Sequence, residues 1–208
     1  MEDVKEMYNE LVKRIRECTK CPLHTTRRNP VPGEGPLEAE VMLIGEAPGR
    51  REDELGRPFV GMAGKLLDEL LNEVGMPRRS VYITNVIKCR PPGNRDPRPE
   101  EIQACLPYLI RQIQLIRPRI IVALGRISAK TLHDLARLQW KGISKEHGKV
   151  KDAVIAGVKV KMLATYHPAA ALYNPRLRDY IREDLRKASL LREASEPGYS
   201  RRTLEDFF

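Results

Sequence analysis

The chain has 208 residues, 41% hydrophobic and 31% charged, with a formal net charge of +9. That size and balance suit one globular domain with a sizeable core, and no apolar run approaches the roughly 18 residues that a membrane span needs. The N-terminus mixes acidic and basic residues without an apolar signal segment, so a cytoplasmic, non-secreted monomer with no membrane attachment is expected, and the positive balance favours a polyanionic partner such as nucleic acid.

Residues 2–17 read as an amphipathic helix, with Val4, Met7, Leu11, Val12 and Ile15 at helical spacing. The helix runs into Cys18-Thr-Lys-Cys21, and residues 22–38 are rich in proline and glycine and read as loop. Residues 40–45 form a short apolar strand ending in Gly45, and 46–62 a charged loop. Residues 63–74 are a helix with Leu66, Leu67, Leu70, Leu71 and Val74 inward, closed by Gly75. The alternation repeats: strand 80–86, proline-rich loop 90–98, helix 99–116, strand 119–124, a turn at Gly125 and helix 126–136. Residues 154–160 read as an edge strand, 161–165 as the last strand and 178–194 as a long basic helix. Strands and helices alternating at this spacing predict a three-layer α/β/α domain with a central, mainly parallel four-stranded sheet. The domain is expected to span 1–195, with 196–208 as a flexible C-terminal tail.

The chain contains four cysteines, Cys18, Cys21, Cys89 and Cys105. In a reducing compartment, one CxxC pair with two distant partners reads as a metal site rather than as two disulfides. Spacing alone leaves zinc and iron–sulfur evenly matched.

In a parallel sheet, ligands bind beyond the carboxyl ends of the strands. Three segments fall there: Gly45-Glu46-Ala47-Pro48-Gly49, Thr84-Asn85, and Thr165-Tyr166-His167-Pro168. The first has the glycines for close backbone approach to a ligand but is no dinucleotide fingerprint, since GxGxxG is absent. Asn85 offers an amide with an acceptor and two donors, and His167 an imidazole. A lone Asn is more often a turn residue, a lone His more often structural, and Phe59 would serve equally as core or as a stacking platform.

Taken together, GEAPG, the Arg57-Pro58-Phe59-Val60-Gly61 loop, the run from Asn85 to Pro92 and the late His167-Pro168-Ala-Ala, with cysteines at 18, 21, 89 and 105, closely resemble a type-4 uracil-DNA glycosylase. The resemblance covers about residues 15–190. It implies a hydrolase of base-excision repair that flips uracil out of DNA and cleaves its glycosidic bond, leaving an abasic site. It further implies that the four cysteines hold a [4Fe-4S] cluster, that Gly45, Glu46 and Ala47 contact the uracil, that Phe59 stacks on it, that Asn85 reads its Watson–Crick edge and that His167 donates to O2. An Asp orients water in better-known uracil glycosylases; Ala47 stands there in this chain, which leaves Glu46 and Glu52 as catalytic candidates. Alternatives are a glycosylase of broader deaminated-base range, hypoxanthine included, and a non-catalytic, metal-stabilised nucleic-acid-binding protein. Phosphate contacts are expected from Arg27, Arg28, Lys88, Arg90, Arg95, Arg98, Arg176 and Arg178, with Leu172 or Tyr173 as a wedge into the duplex. The last residues, Arg201 to Phe208, resemble a sliding-clamp-binding box through Leu204, Phe207 and Phe208, although Arg201 stands where the box has Gln. A PCNA-like clamp is the partner this implies.

Overall fold

The computed structural model describes residues 2–194. The clamp-box residues Leu204, Phe207 and Phe208 lie outside the described residues. Helices α1 (Glu2–Arg16), α2 (Arg50–Leu55), α3 (Met62–Glu73), α4 (Pro99–Ile116), α5 (Arg126–Leu135), α6 (Ile143–Glu146), α7 (Pro168–Tyr173) and α8 (Arg176–Glu193) surround one sheet. Its strands are β1 (Val41–Gly45), β2 (Tyr82–Asn85), β3 (Ile120–Leu124), β4 (Lys151–Ile155) and β5 (Val158–Thr165), in spatial order β2-β1-β3-β5-β4.

β2, β1, β3 and β5 run parallel, and β4 pairs antiparallel with β5. Alternate residues of β1 serve two cores: Met42 and Ile44 join Leu11, Ile15, Leu109, Ile113 and Leu132, whereas Val41 and Leu43 join Leu67, Leu70, Leu71, Ile181 and Leu185. This is the period-two alternation of a strand buried on both faces, with α1, α4 and α5 covering one side and α3 and α8 the other. Each fully buried Leu or Ile contributes about 1.5–3 kcal/mol relative to exposure, so the sheet is a stiff platform for whatever its ends carry.

The expected four-stranded sheet is corrected to five strands. The stretch expected as one edge strand, 154–160, is broken by a hairpin turn at Ala156 and Gly157, whose φ angles are 53° and 80°. Two consecutive positive φ values make the tight turn that suits strand twist, but Ala-Gly is not the Asn-Gly or Asp-Gly pair that announces it. α2, inside the expected loop 46–62, is a second difference: it is a six-residue, charged helix ended by Gly56 at φ 68°, too short to show an apolar stripe.

The register sets the functional end of the sheet. Gly45 pairs with Asn85, and Leu124 pairs with Thr165, so the segments after β1, β2 and β5 leave the same edge side by side.

Candidate active site

These segments enclose a cavity of about 310 Å³ lined by Glu46, Ala47, Gly49, Glu52, Phe59, Asn85 and His167, with Pro91, Asn94 and Arg95 closing one side. A larger groove of about 870 Å³ lies around the start of β3 and the β4–β5 hairpin, lined by Arg119, Ile120, Ala153 and Lys161. It sits at the opposite strand ends and includes none of the strand-end residues singled out from the sequence.

Gly45 ends β1 between two site residues. A Cβ there would fall 2.4 Å from Asn85 Oδ1 and 2.6 Å from Phe59 Cζ, so the absence of a side chain is what lets both approach. The segment after it is fixed by backbone bonds, Val86 N donating to Gly45 O and Ile87 N to Glu46 O. Asn85 is buried, and its Oδ1 is the one buried side-chain polar atom among the described residues without a hydrogen-bond partner. A buried acceptor left unpaired costs about 1–3 kcal/mol, which marks the amide as built for a donor arriving from outside.

Phe59 has φ 48°, a left-handed backbone for a residue with a Cβ, which costs on the order of 1–3 kcal/mol. Its ring lies 5.6 Å from that of His167, with 27° between the planes. His167 caps α7, its Nδ1 accepting from Ala169 N at 3.1 Å. Because a backbone amide can only donate, the proton of the neutral ring is on Nε2. Burial drives the imidazole pKa from 6.5 down to about 4, so His167 is a neutral donor at physiological pH.

The two acidic candidates differ. Burial, reinforced by Asp96 and opposed by Arg126, raises the Glu46 carboxyl from 4.5 to about 7. Glu52 also lines the cavity, but its Oε1 accepts from Val60 N and Gly61 N, both at 2.8 Å, and so holds the Phe59 loop. All six residues expected at the uracil stand at one strand-end cluster, Gly45 as its floor and the other five as its lining.

The sequence reading missed Pro91 and Asn94 as lining residues. Asn94 has φ 55° and accepts from Arg90 Nε, a turn geometry whose only signal was the Pro-Pro-Gly-Asn run.

The four cysteines also converge. Cys18 and Cys21 follow α1, Cys89 follows β2 and Cys105 sits on α4, and all four line one internal space with Ile15, Arg27, Lys88 and Tyr108. Backbone and guanidinium donors point at the sulfurs: Lys20 N to Cys18 Sγ at 3.5 Å, Lys88 N to Cys105 Sγ at 3.3 Å, and Arg27 Nη1 to Cys89 Sγ at 3.1 Å. Burial raises the Cys21, Cys89 and Cys105 thiols, Cys105 to about 12, and the donors to Cys89 and Cys105 oppose that rise in part. Among the described residues no group of three or more His, Cys, Asp or Glu is placed to hold a metal ion.

One expected phosphate contact, Lys88, is corrected. Lys88 is fully buried, its Nζ donating to Thr84 Oγ1 (2.7 Å), Asn85 O (2.6 Å) and Gln112 Oε1 (2.7 Å). Its place beside a proline-rich loop suggested exposure, but four residues after Thr84 the chain still runs through the core. Arg27 serves Cys89, Arg95 grips Glu101 at 2.6 and 2.9 Å, and Arg178 pairs with Glu69 and Glu73. Arg28, Arg98 and Arg176 are exposed, as are Leu172 and, at 91%, Tyr173.

A family model described as the uracil DNA glycosylase superfamily matches residues 32–189. A type-4 uracil-DNA glycosylase of Archaeoglobus fulgidus is 50% identical over 192 residues, covering 92% of this chain and 96% of the relative. The type-4 enzyme of Thermotoga maritima is 46% identical over 186 residues, covering 88% and 94%. A type-5 uracil-DNA glycosylase of Pyrobaculum aerophilum is 33% identical over 193 residues, covering 78% and 82%. With the family match spanning most of the sheet and every lining segment of the cavity, the chain belongs to the uracil DNA glycosylase superfamily.

Proposed function

We propose that this protein is a monofunctional uracil-DNA glycosylase of base-excision repair, hydrolysing the bond between uracil and deoxyribose in DNA. The unpaired, buried Asn85 Oδ1 carries the reading. Uracil N3–H would satisfy it while the Asn85 amide donates to O4; cytosine presents an acceptor at N3 and a donor at N4 and would leave both groups opposed. A base within a duplex cannot reach this cavity, so the nucleotide must be extruded, at a cost of a few kcal/mol. Stacking on Phe59 returns about 1–3 kcal/mol.

As the C1′–N1 bond breaks, the electron pair leaves with uracil and spreads to O2. His167 Nε2–H donates to that oxygen, stabilising charge that grows mainly in the transition state. A neutral imidazole suits this task, since it adds no charged group to be desolvated when uracil enters. Glu46 is the carboxylate assigned to orient water toward C1′ and to accept its proton, because Glu52 is engaged with the Phe59 loop. Uracil-containing single-stranded DNA, incubated with the protein and then treated with alkali, should break at uracil. Intact strands would refute the activity, and an arm containing hypoxanthine measures the breadth of the pocket.

In this reading Cys18, Cys21, Cys89 and Cys105 hold a [4Fe-4S] cluster. When bound, the cluster supplies a cross-link rather than an electron, since hydrolysis transfers none. The cysteines would then pin the end of α1, the loop after β2 and α4 to one another beside Asn85. Cys89→Ser should lose the brown colour and thermal stability together; a colourless variant with unchanged stability and activity refutes that role. Residues 1–195 would act as one catalytic domain and 196–208 as a tether to a sliding clamp through Leu204, Phe207 and Phe208. Deleting 201–208 should abolish clamp binding and spare base release.

A further inference from the structure

Phe59 holds its left-handed backbone through a residue that lies outside the cavity. Arg78 belongs to a single helical turn, Arg78–Ser80, that precedes β2. Its Nη1 donates to Phe59 O at 2.9 Å and its Nη2 to Pro58 O at 2.5 Å, so one guanidinium orients two successive carbonyls. The rest of the guanidinium is fixed by carboxylates: Nε and Nη2 donate to Glu34 Oε1 at 2.9 and 2.7 Å, and Nη1 to Asp68 Oδ1 at 3.0 Å. Glu34 also binds Arg57 of the same loop, at 2.8 and 3.2 Å. On α3 a Cβ at Gly64 would fall 2.0 Å from Phe59 O, so glycine makes room for that carbonyl beneath the loop.

These bonds have one geometric consequence. Turning the Phe59 peptide to an ordinary backbone conformation would withdraw its carbonyl from Arg78 and carry the ring away from His167. Lysine could not replace the guanidinium, because its single ammonium lacks the planar fork that spans two carbonyls and two carboxylates.

We propose that Arg78 is a positioning residue for base recognition: it holds the Phe59 ring in the face that stacks on the extruded base. The proposal rests on the uracil-excision reading given above. The test is a double-mutant cycle of Arg78→Met and Phe59→Ala, measured as kcat and KM on uracil-containing single-stranded DNA, with thermal melting of each variant. Phe59→Ala should reduce kcat/KM about tenfold to a hundredfold through lost stacking. Arg78→Met should reduce it comparably, and the double variant should fall less than about twofold below Phe59→Ala alone, because the two residues act as one unit. A purely structural Arg78 would lower melting temperature and multiply the Phe59→Ala loss, and that multiplication overturns the proposal. Should Arg78→Met not fold, Arg78→Lys enters the same cycle with the same expectation and the same overturning result. A wild-type protein that releases no uracil overturns the underlying function; an active wild type with multiplicative losses overturns the Arg78 assignment alone.

Discussion

Asn85 and Gly45 show how narrowly a recognition site depends on single atoms. The space that Asn85 Oδ1 and the Phe59 ring share over Gly45 is smaller than a methyl group requires. Gly45→Ala should therefore displace both, cost about 1–3 kcal/mol of stability through overpacking, and lower kcat/KM about a hundredfold, as misplacement by about 1 Å commonly does. Steady-state kinetics on uracil-containing DNA check this, and near-normal activity would show that the close approach is dispensable. Glu46 and His167 make a second prediction at this scale. With Glu46 near 7, the rate should climb with pH below about 7 and level above it, without an inflection from His167, which is neutral until about 4. Glu46→Gln should be slow and lose that dependence; retention of the inflection would reassign it. The same groups set opposite stability slopes. Glu46 is raised by folding, so its contribution is complete below 4.5 and is lost as pH climbs through 7. His167 is lowered, so its contribution is complete above 6.5 and is lost as pH falls toward 4.

At the scale of elements, the segment from β2 to α4 joins Asn85 to Cys89 and Cys105. Lys88 donates from its backbone to Cys105 Sγ and from its side chain to the Asn85 carbonyl. Burial lowers its ammonium from 10.5 to about 8, a cost that works out at about 3 kcal/mol. Lys88→Met removes that cost but strips donors from Thr84 Oγ1, the Asn85 carbonyl and Gln112 Oε1, at about 1–3 kcal/mol each. The lost bonds outweigh the relieved cost, so melting should fall. Activity should fall at least tenfold as well, because the strand end that carries Asn85 loses its anchor. Full activity with unchanged melting would remove Lys88 from the site's support. The helix starting at His167 shows the same economy of placement: the ring that faces Phe59 also caps α7, so tautomer and orientation are set by one backbone amide.

At the scale of the whole molecule, a net charge of +9 implies salt-sensitive binding to DNA through released counterions. Arg98 and Arg176 are exposed, so replacing either with Ala should reduce the slope of log K against log salt by about one without changing base preference. Titration of uracil-free DNA at several salt concentrations measures this; an unchanged slope removes that arginine from the interface. The sequence by itself determined the parallel α/β architecture, because continuous apolar strands and the 3.6-residue stripes of α3 and α4 are local patterns. It also placed Asn85, His167 and the Gly45 loop at strand ends, since a strand's polar terminus is visible in one dimension. The tertiary structure decided what each side chain touches: that Lys88 is interior, that Glu52 holds a loop, that Arg78 grips Phe59, and that Ala156 and Gly157 split one expected strand into a fifth. Those outcomes depend on distances between residues far apart in the chain and on backbone angles that residue type alone does not impose.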